Sequence, residues 1–148
     1  MDELQRLLIE NACRTLVLRA AAHADANEPG QLAAWFTEDA VLVRPNAQPL
    51  QGREAIRQAY AQRPAERITR HLVTQTLVEI ESAEAAHAHS CVLLWAGSLA
   101  DEPGPQGRPA QPRQVLGEFD DRCVLTPDGW RIARRDARFV LHSRLIGD

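Results

Sequence analysis

Five histidines, three cysteines and a late run of arginines are the residues of this 148-residue chain with the most chemistry to offer. His87 and His89 stand two apart in a segment of strand character, so both imidazoles point to one face. Such a pair binds a metal if a third ligand converges; the sequence names none, and two solvent-facing histidines account for the spacing equally well. Cys13, Cys91 and Cys123 are odd in number and far apart. They form neither zinc-ribbon spacing nor a disulfide framework, and read as buried free thiols of a reducing, cytoplasmic compartment. Arg131, Arg134, Arg135 and Arg138 cluster near the end of the chain. Simple alternation sends Arg131 and Arg135 to one face and Arg134 and Arg138 to the other. Acids at Glu118, Asp120 and Asp121 offer cross-strand partners. The cluster reads as a solvated, paired sheet face, from which one arginine has the reach for an anionic substrate. No phosphate-cradling glycine loop, nucleophile elbow or Cys–His spacing is present. Neither a metal nor a nucleotide or other cofactor is implied.

These groups need elements to hold them. Leu4, Leu7, Leu8, Ala12, Leu16 and Ala20 recur at three- and four-residue steps, predicting a first helix with one apolar face. Asp2 and Gln5 have the spacing of an N-terminal cap pair. Asn27-Glu28-Pro29-Gly30 ends that helix, and a short second helix follows with Leu32, Trp35 and Phe36 on its buried side. Residues 39–43 pass into a short strand. Gly52 precedes a third helix in which Ala55, Ile56, Ala59 and Tyr60 repeat at helical spacing, and Pro64 closes it. The rest is β in character. Strands are expected over 68–81, 85–99, 114–125 and 130–142, the last two joined as a hairpin at Thr126-Pro127-Asp128-Gly129. Residues 101–112 hold four prolines and two glycines, making a loop that is a candidate cover for a pocket mouth.

Helices followed by consecutive strands predict an α+β fold, with N-terminal helices packed on a strongly curved antiparallel sheet. A bent sheet under a long helix leaves a cone-shaped pocket between them. The length suits one domain spanning 1–148. A net charge of −3 and few aromatic residues argue against a nucleic-acid partner. The opening segment carries acids and lacks the layout of a secretory signal, and no apolar run has the length of a membrane helix. Trp35, Tyr60, Trp95 and Phe119 are the candidate pocket-lining aromatics, set against the ordinary role of such residues as core filling.

Several runs resemble the SnoaL-like family of the nuclear transport factor 2-like superfamily. They are His23-Ala24-Asp25 through Leu32-Ala33-Ala34-Trp35-Phe36-Thr37-Glu38-Asp39-Ala40-Val41, then Leu50-Gln51-Gly52-Arg53-Glu54-Ala55-Ile56, Thr69-Arg70-His71, and Asp128-Gly129-Trp130-Arg131-Ile132. The series keeps one order along nearly the whole chain. The layout is similar to scytalone dehydratase and hexachlorocyclohexane dehydrochlorinase. That resemblance implies an Asp–His pair, here Asp25 at the end of the first helix and His71 on the first long strand after the third. A neutral imidazole is a useful base near neutral pH, and a carboxylate beside it fixes the tautomer and stabilises the imidazolium that forms. The implied activity is that of a cofactor-independent lyase or isomerase acting on a small apolar or carbonyl-containing molecule. Two features depart from scytalone dehydratase: its second strand histidine falls near Trp95 here, and Tyr60 is the only tyrosine. A generic base-promoted elimination or isomerisation survives that departure better. The rival reading from the same superfamily is a non-catalytic ligand binder, or a structural subunit related to the small subunit of ring-hydroxylating dioxygenases. Under either, the open sheet face predicts a homodimer.

Overall fold

The computed structural model describes residues 1–145, so positions 146–148 of the expected domain lie outside the described residues. Helix α1 spans Glu3–Asp25 and opens on the expected cap: Gln5 N–H donates to Asp2 Oδ1 at 2.8 Å, and Asp2 N–H donates to Gln5 Oε1 at 3.1 Å. Its buried stripe is Ile9, Cys13, Leu16, Val17, Ala20, Ala21 and Ala24. The expected start of the apolar face at Leu4, Leu7 and Leu8 is instead exposed. Periodicity marks a stripe on a helix, but not where the layer beneath it ends. The helix stops where Asn27 adopts φ 56°, a left-handed turn that asparagine tolerates. Asp25 is thereby the last helical residue.

Helix α2 is Pro29–Ala34, with proline at its first turn. It is shorter than expected, because the chain is already extended at Phe36. Strand β1 runs Phe36–Val43, three residues earlier than the hydrophobic pattern starts it. An irregularity between Phe36 and Val41 breaks its alternation, so Phe36, Ala40 and Leu42 are buried while Glu38 and Asp39 stay outside. The two-residue strand β2, Leu50–Gln51, pairs with β1. Gly52 follows at φ 91°, where a side chain is strained, and its N–H donates to Ala40 O at 2.7 Å. Helix α3, Arg53–Ala61, then begins with Arg53 clamping the Phe36 carbonyl through Nε at 2.8 Å and Nη2 at 2.6 Å, while Ile56 is fully buried.

Four long strands complete the chain: β3 Arg67–Ser82, β4 Ala85–Ser98, β5 Val115–Thr126 and β6 Gly129–His142. The sheet order is β2-β1-β6-β5-β4-β3. Every ladder is antiparallel except β1 on β6, which is parallel. The sheet is thus mixed at the edge where the early strand returns beside the last one. The helices cover one face and leave the other open. Register shifts at Val73/Gln75, Ile80/Ser82, Leu116/Gly117 and Arg122/Cys123 bend it. They also explain why apolar residues of β3 enter both alternating sets: Val73 packs on the core before the shift, and Val78 and Ile80 after it.

The last shift overturns the simple alternation of the arginines. Ile132 and Arg135 are both buried, although they differ in parity. Arg135 therefore belongs to no solvated face. Its Nε and Nη2 each donate to one oxygen of Asp121 at 2.7 Å, and its guanidinium lies 4.0 Å from the Phe119 ring centroid. Burial works against this charge, and the Asp121 carboxylate more than offsets it, holding the Arg135 pKa above its ordinary value. Arg134 pairs with Asp136, and Arg138 bridges Glu118 and Asp120, both on the open face as expected. Removing one partner of the buried pair leaves the other as an uncompensated charge. Asp121→Ala is expected to destabilise the protein by about 3–5 kcal/mol, read from the urea midpoint. A loss below about 1 kcal/mol, the scale of an exposed pair, would mean that Arg135 finds water.

Candidate active site

The end of α1 and the start of β3 meet through one carboxylate. Asp25 Oδ2 accepts the backbone N–H of His71 at 2.8 Å, and Oδ1 accepts the Thr69 hydroxyl at 2.9 Å. Oδ1 also lies 2.5 Å from His71 Nδ1. An ionised carboxylate only accepts hydrogen bonds, so the Nδ1 site carries a proton, and in the neutral form of the ring Nε2 is then the free nitrogen. Both side chains are largely buried, with 13% of Asp25 and 20% of His71 exposed. Burial pushes the Asp25 pKa up. The hydrogen bonds from the His71 ring and backbone, the His71 charge and the Thr69 hydroxyl together outweigh that push, and hold it below the usual carboxylate range.

His71 lines a cavity of about 180 Å³ whose walls include Tyr60, Leu94, Phe119, Phe139 and Arg135. It adjoins an outer vestibule of about 400 Å³, and the two share Arg44, Pro45, Tyr60, His71, Leu94 and Phe139. Gly117 forms part of the inner wall, where an added Cβ would come within 2.9 Å of the Arg138 carbonyl oxygen. No strand residue other than glycine fits this close crossing of β5 and β6 without a shift.

Of the four aromatics expected to line the pocket, Tyr60 and Phe119 do so. Trp35 does not. Its ring stacks on His23 at 6.3 Å, and the Arg131 guanidinium sits 5.3 Å above it, in a separate cluster. Trp95 also points away, 42% exposed on the open face, because His71 pairs in register with Leu94 and the neighbouring strand position faces outward. The cavity therefore presents Leu94 beside His71, and among its lining residues His71 is the only histidine. The 101–112 loop does not cover this cavity. It packs on the far end of β4, where Gln111 N–H donates to Ala96 O at 2.8 Å, over a separate hollow of about 290 Å³.

His87 and His89 share the open face with different neighbours. His87 Nε2 lies 3.4 Å from Glu81, and His89 Nδ1 lies 2.7 Å from Asp120. The ligating atoms of His89, Cys91 and Glu118 fall within 4.8 Å of one another, a set of three that leaves out His87. The guanidinium of Arg138 already engages Glu118 and Asp120 there. Cys13 and Cys123 are buried free thiols as expected, but Cys91 is only half-buried.

Sequence reading missed Arg44, Thr69 and Arg135. Thr69 stands beside His71 in the quoted run, and strict alternation already places it on the same face. Arg44 directly follows the apolar run of β1 and precedes Pro45, a position that reads as a strand end rather than a pocket wall.

The sequence profile of the SnoaL-like domain family matches residues 5–136. No curated protein sequence matches the chain. A scytalone dehydratase-like protein from Novosphingobium aromaticivorans shares the fold at TM-score 0.79 and 22% identity, over 94% of this chain and 89% of that one. Hexachlorocyclohexane dehydrochlorinase LinA-type3 from Novosphingobium barchaimii superposes at TM-score 0.80 and 17% identity, over 99% and 97%. Rv3472, a protein of unknown function from Mycobacterium tuberculosis, gives 0.73 and 24% over 100% and 80%. At these identities the likeness is one of fold.

The depressed Asp25 pKa has a consequence for acid stability. The folded carboxyl holds its proton less tightly than the unfolded one, so its contribution is complete above the unfolded value of about 3.9 and is lost as pH falls through the lower folded value. Thermal melts of wild type and Asp25→Asn from neutral pH downward test this. The gap between them should be constant above about pH 5 and close as the pH drops below about 4. A gap that widens in acid would contradict the assignment.

Proposed function

Because the chain belongs to the SnoaL-like domain family, we propose that it is a cofactor-independent lyase or isomerase in which His71 removes a proton from carbon and Asp25 orients it. The observation that carries this reading is the 2.5 Å contact between Asp25 and His71 Nδ1, with the same ring lining a largely apolar cavity. Nε2 takes the proton, and the electrons of the broken C–H bond form a new carbon–carbon double bond. In an elimination the group on the adjacent carbon departs with its bonding pair; in an isomerisation the imidazolium returns the proton at another carbon. Asp25 stabilises the imidazolium between these steps, an effect strengthened where water is excluded. The scytalone dehydratase-like and dehydrochlorinase neighbours support chemistry of this class.

The ligand is a small molecule with an apolar or carbonyl-bearing body. Tyr60, Leu94, Phe119 and Phe139 supply apolar wall, and a volume of about 180 Å³ limits its size. Among the described residues no helix is long and apolar enough to cross a membrane. The working unit is a homodimer closed over the open sheet face, where Leu72, Leu77 and Trp95 are exposed together with polar groups. Sedimentation should give twice the chain mass, and Trp95→Glu should shift it to the monomer; a wild-type monomer at micromolar concentration would refute the dimer.

The enzymatic reading is tested by deuterium exchange. A panel of small cyclic ketones and hydroxy-ketones is incubated with protein in D2O and followed by mass spectrometry. Wild type should accelerate exchange or elimination on at least one, and His71→Ala should lose on the order of 10²–10⁴ of that rate while remaining folded. Ligand binding without exchange, unchanged in His71→Ala, would leave a non-catalytic binding protein.

A further inference from the structure

The cavity mouth carries a charge that the proton-transfer reading does not use. Arg44 follows directly on β1 and lines both the cavity and the vestibule. Its Nε is buried without a hydrogen-bond partner, and among the described residues no other buried side-chain nitrogen or oxygen is left in that state. Among the described residues no carboxylate lies within ion-pair distance of it, in contrast to Arg135, which is paired with Asp121 in the same wall. A buried donor on a permanent cation is costly to leave unpaired, and such groups are rare in folded proteins.

The second observation concerns the surroundings. The vestibule is lined by Arg44, Arg63 and Arg67, and neither it nor the cavity has an aspartate or glutamate among its lining residues. Arg63 is turned inward, its Nη2 donating to Thr69 Oγ1 at 3.3 Å and its Nη1 to the Ala24 carbonyl at 3.4 Å. Arg63 feels the charge of Asp25, whose oxygens are already taken by Thr69 and His71. Three arginines thus line one opening of a chain whose net charge is −3. A concave site of one sign with low-dielectric walls concentrates ions of the opposite sign.

We propose that the molecule taken into this cavity carries a carboxylate, seated against the guanidinium of Arg44 and drawn in by Arg63 and Arg67. A planar guanidinium matches a carboxylate in shape and in hydrogen-bond directions. The apolar wall of Tyr60, Leu94, Phe119 and Phe139 receives the rest of the molecule, a compact ring or short chain. The carboxylate is the anchor, and the carbon that loses its proton lies elsewhere on the ligand, toward His71. This deepens the proton-transfer reading and rests on it for what happens at that carbon. The anion site itself rests on the arginines.

Matched acids and amides separate the charge from the shape. Wild-type protein is titrated calorimetrically at low salt with benzoate and benzamide, and with phenylacetate and phenylacetamide. Each acid should bind at least about tenfold more tightly than its amide, with the preference shrinking as salt is added. Arg44→Gln should reduce the preference to within about twofold, and Arg44→Lys, which keeps the charge, should retain part of it. His71→Ala should keep the preference while losing deuterium exchange, so failure of the base and failure of the anion site give different results. Amides binding as well as acids, neither class binding, or an acid preference that survives Arg44→Gln would each overturn the proposal.

Discussion

One carboxylate ties the two layers of this protein together at the candidate site. Asp25 closes α1 and accepts a backbone N–H, a hydroxyl and an imidazole from a three-residue stretch of β3. Those acceptances set the height of the helix over the strand and the direction of the His71 ring at once. A helix shorter by one turn would bring no acceptor to β3, and a strand shifted by one residue would turn His71 to the open face. The same contact that holds the fold shut therefore determines which ring nitrogen meets the cavity. The carboxylate is kept ionised despite burial because every one of those donors favours its charged form.

The other half of the site is made by curvature. A flat sheet would press its inner residues against α1 and leave no space. The register shifts in β3, β5 and β6 tilt the strands away, and the close crossing at Gly117 lets the wall bend. The floor so formed holds the Arg135–Asp121 pair, fully paired and stacked on Phe119. A structural ion pair and an unpartnered arginine thus share one cavity. The pairing state, rather than the residue type, distinguishes Arg135 from Arg44.

Much of the fold was legible in the sequence, because helical and strand periodicities differ and the turns carry their own residues. The capping pair at Asp2 and Gln5, the turn at Asn27 and the helix start at Gly52-Arg53 stand where the sequence puts them. The open question was always parity. Alternation places side chains correctly only until a bulge, and nothing in the run Arg131-Ile132-Ala133-Arg134-Arg135 signals that one occurs there. Alternation therefore predicts a solvated Arg135, and the residue is buried. Trp95 failed for a related reason: its face depends on the register of β3 against β4, which pairs Leu94 with His71. Asp25 and His71, 46 positions apart, were legible only through the family resemblance, since no local pattern joins them. Arg44 was not legible at all, because being unpartnered is a property of the folded neighbourhood.

The central claim is that Asp25 fixes His71 as the Nδ1–H tautomer, with Nε2 free toward the cavity. Long-range proton–nitrogen NMR of the imidazole reads this state directly. In wild type above neutral pH, the His71 ring should show a protonated Nδ1 and an unprotonated Nε2, and Asp25→Asn should abolish that bias. A ring carrying its proton on Nε2, or a tautomer ratio indifferent to Asp25→Asn, would contradict the account.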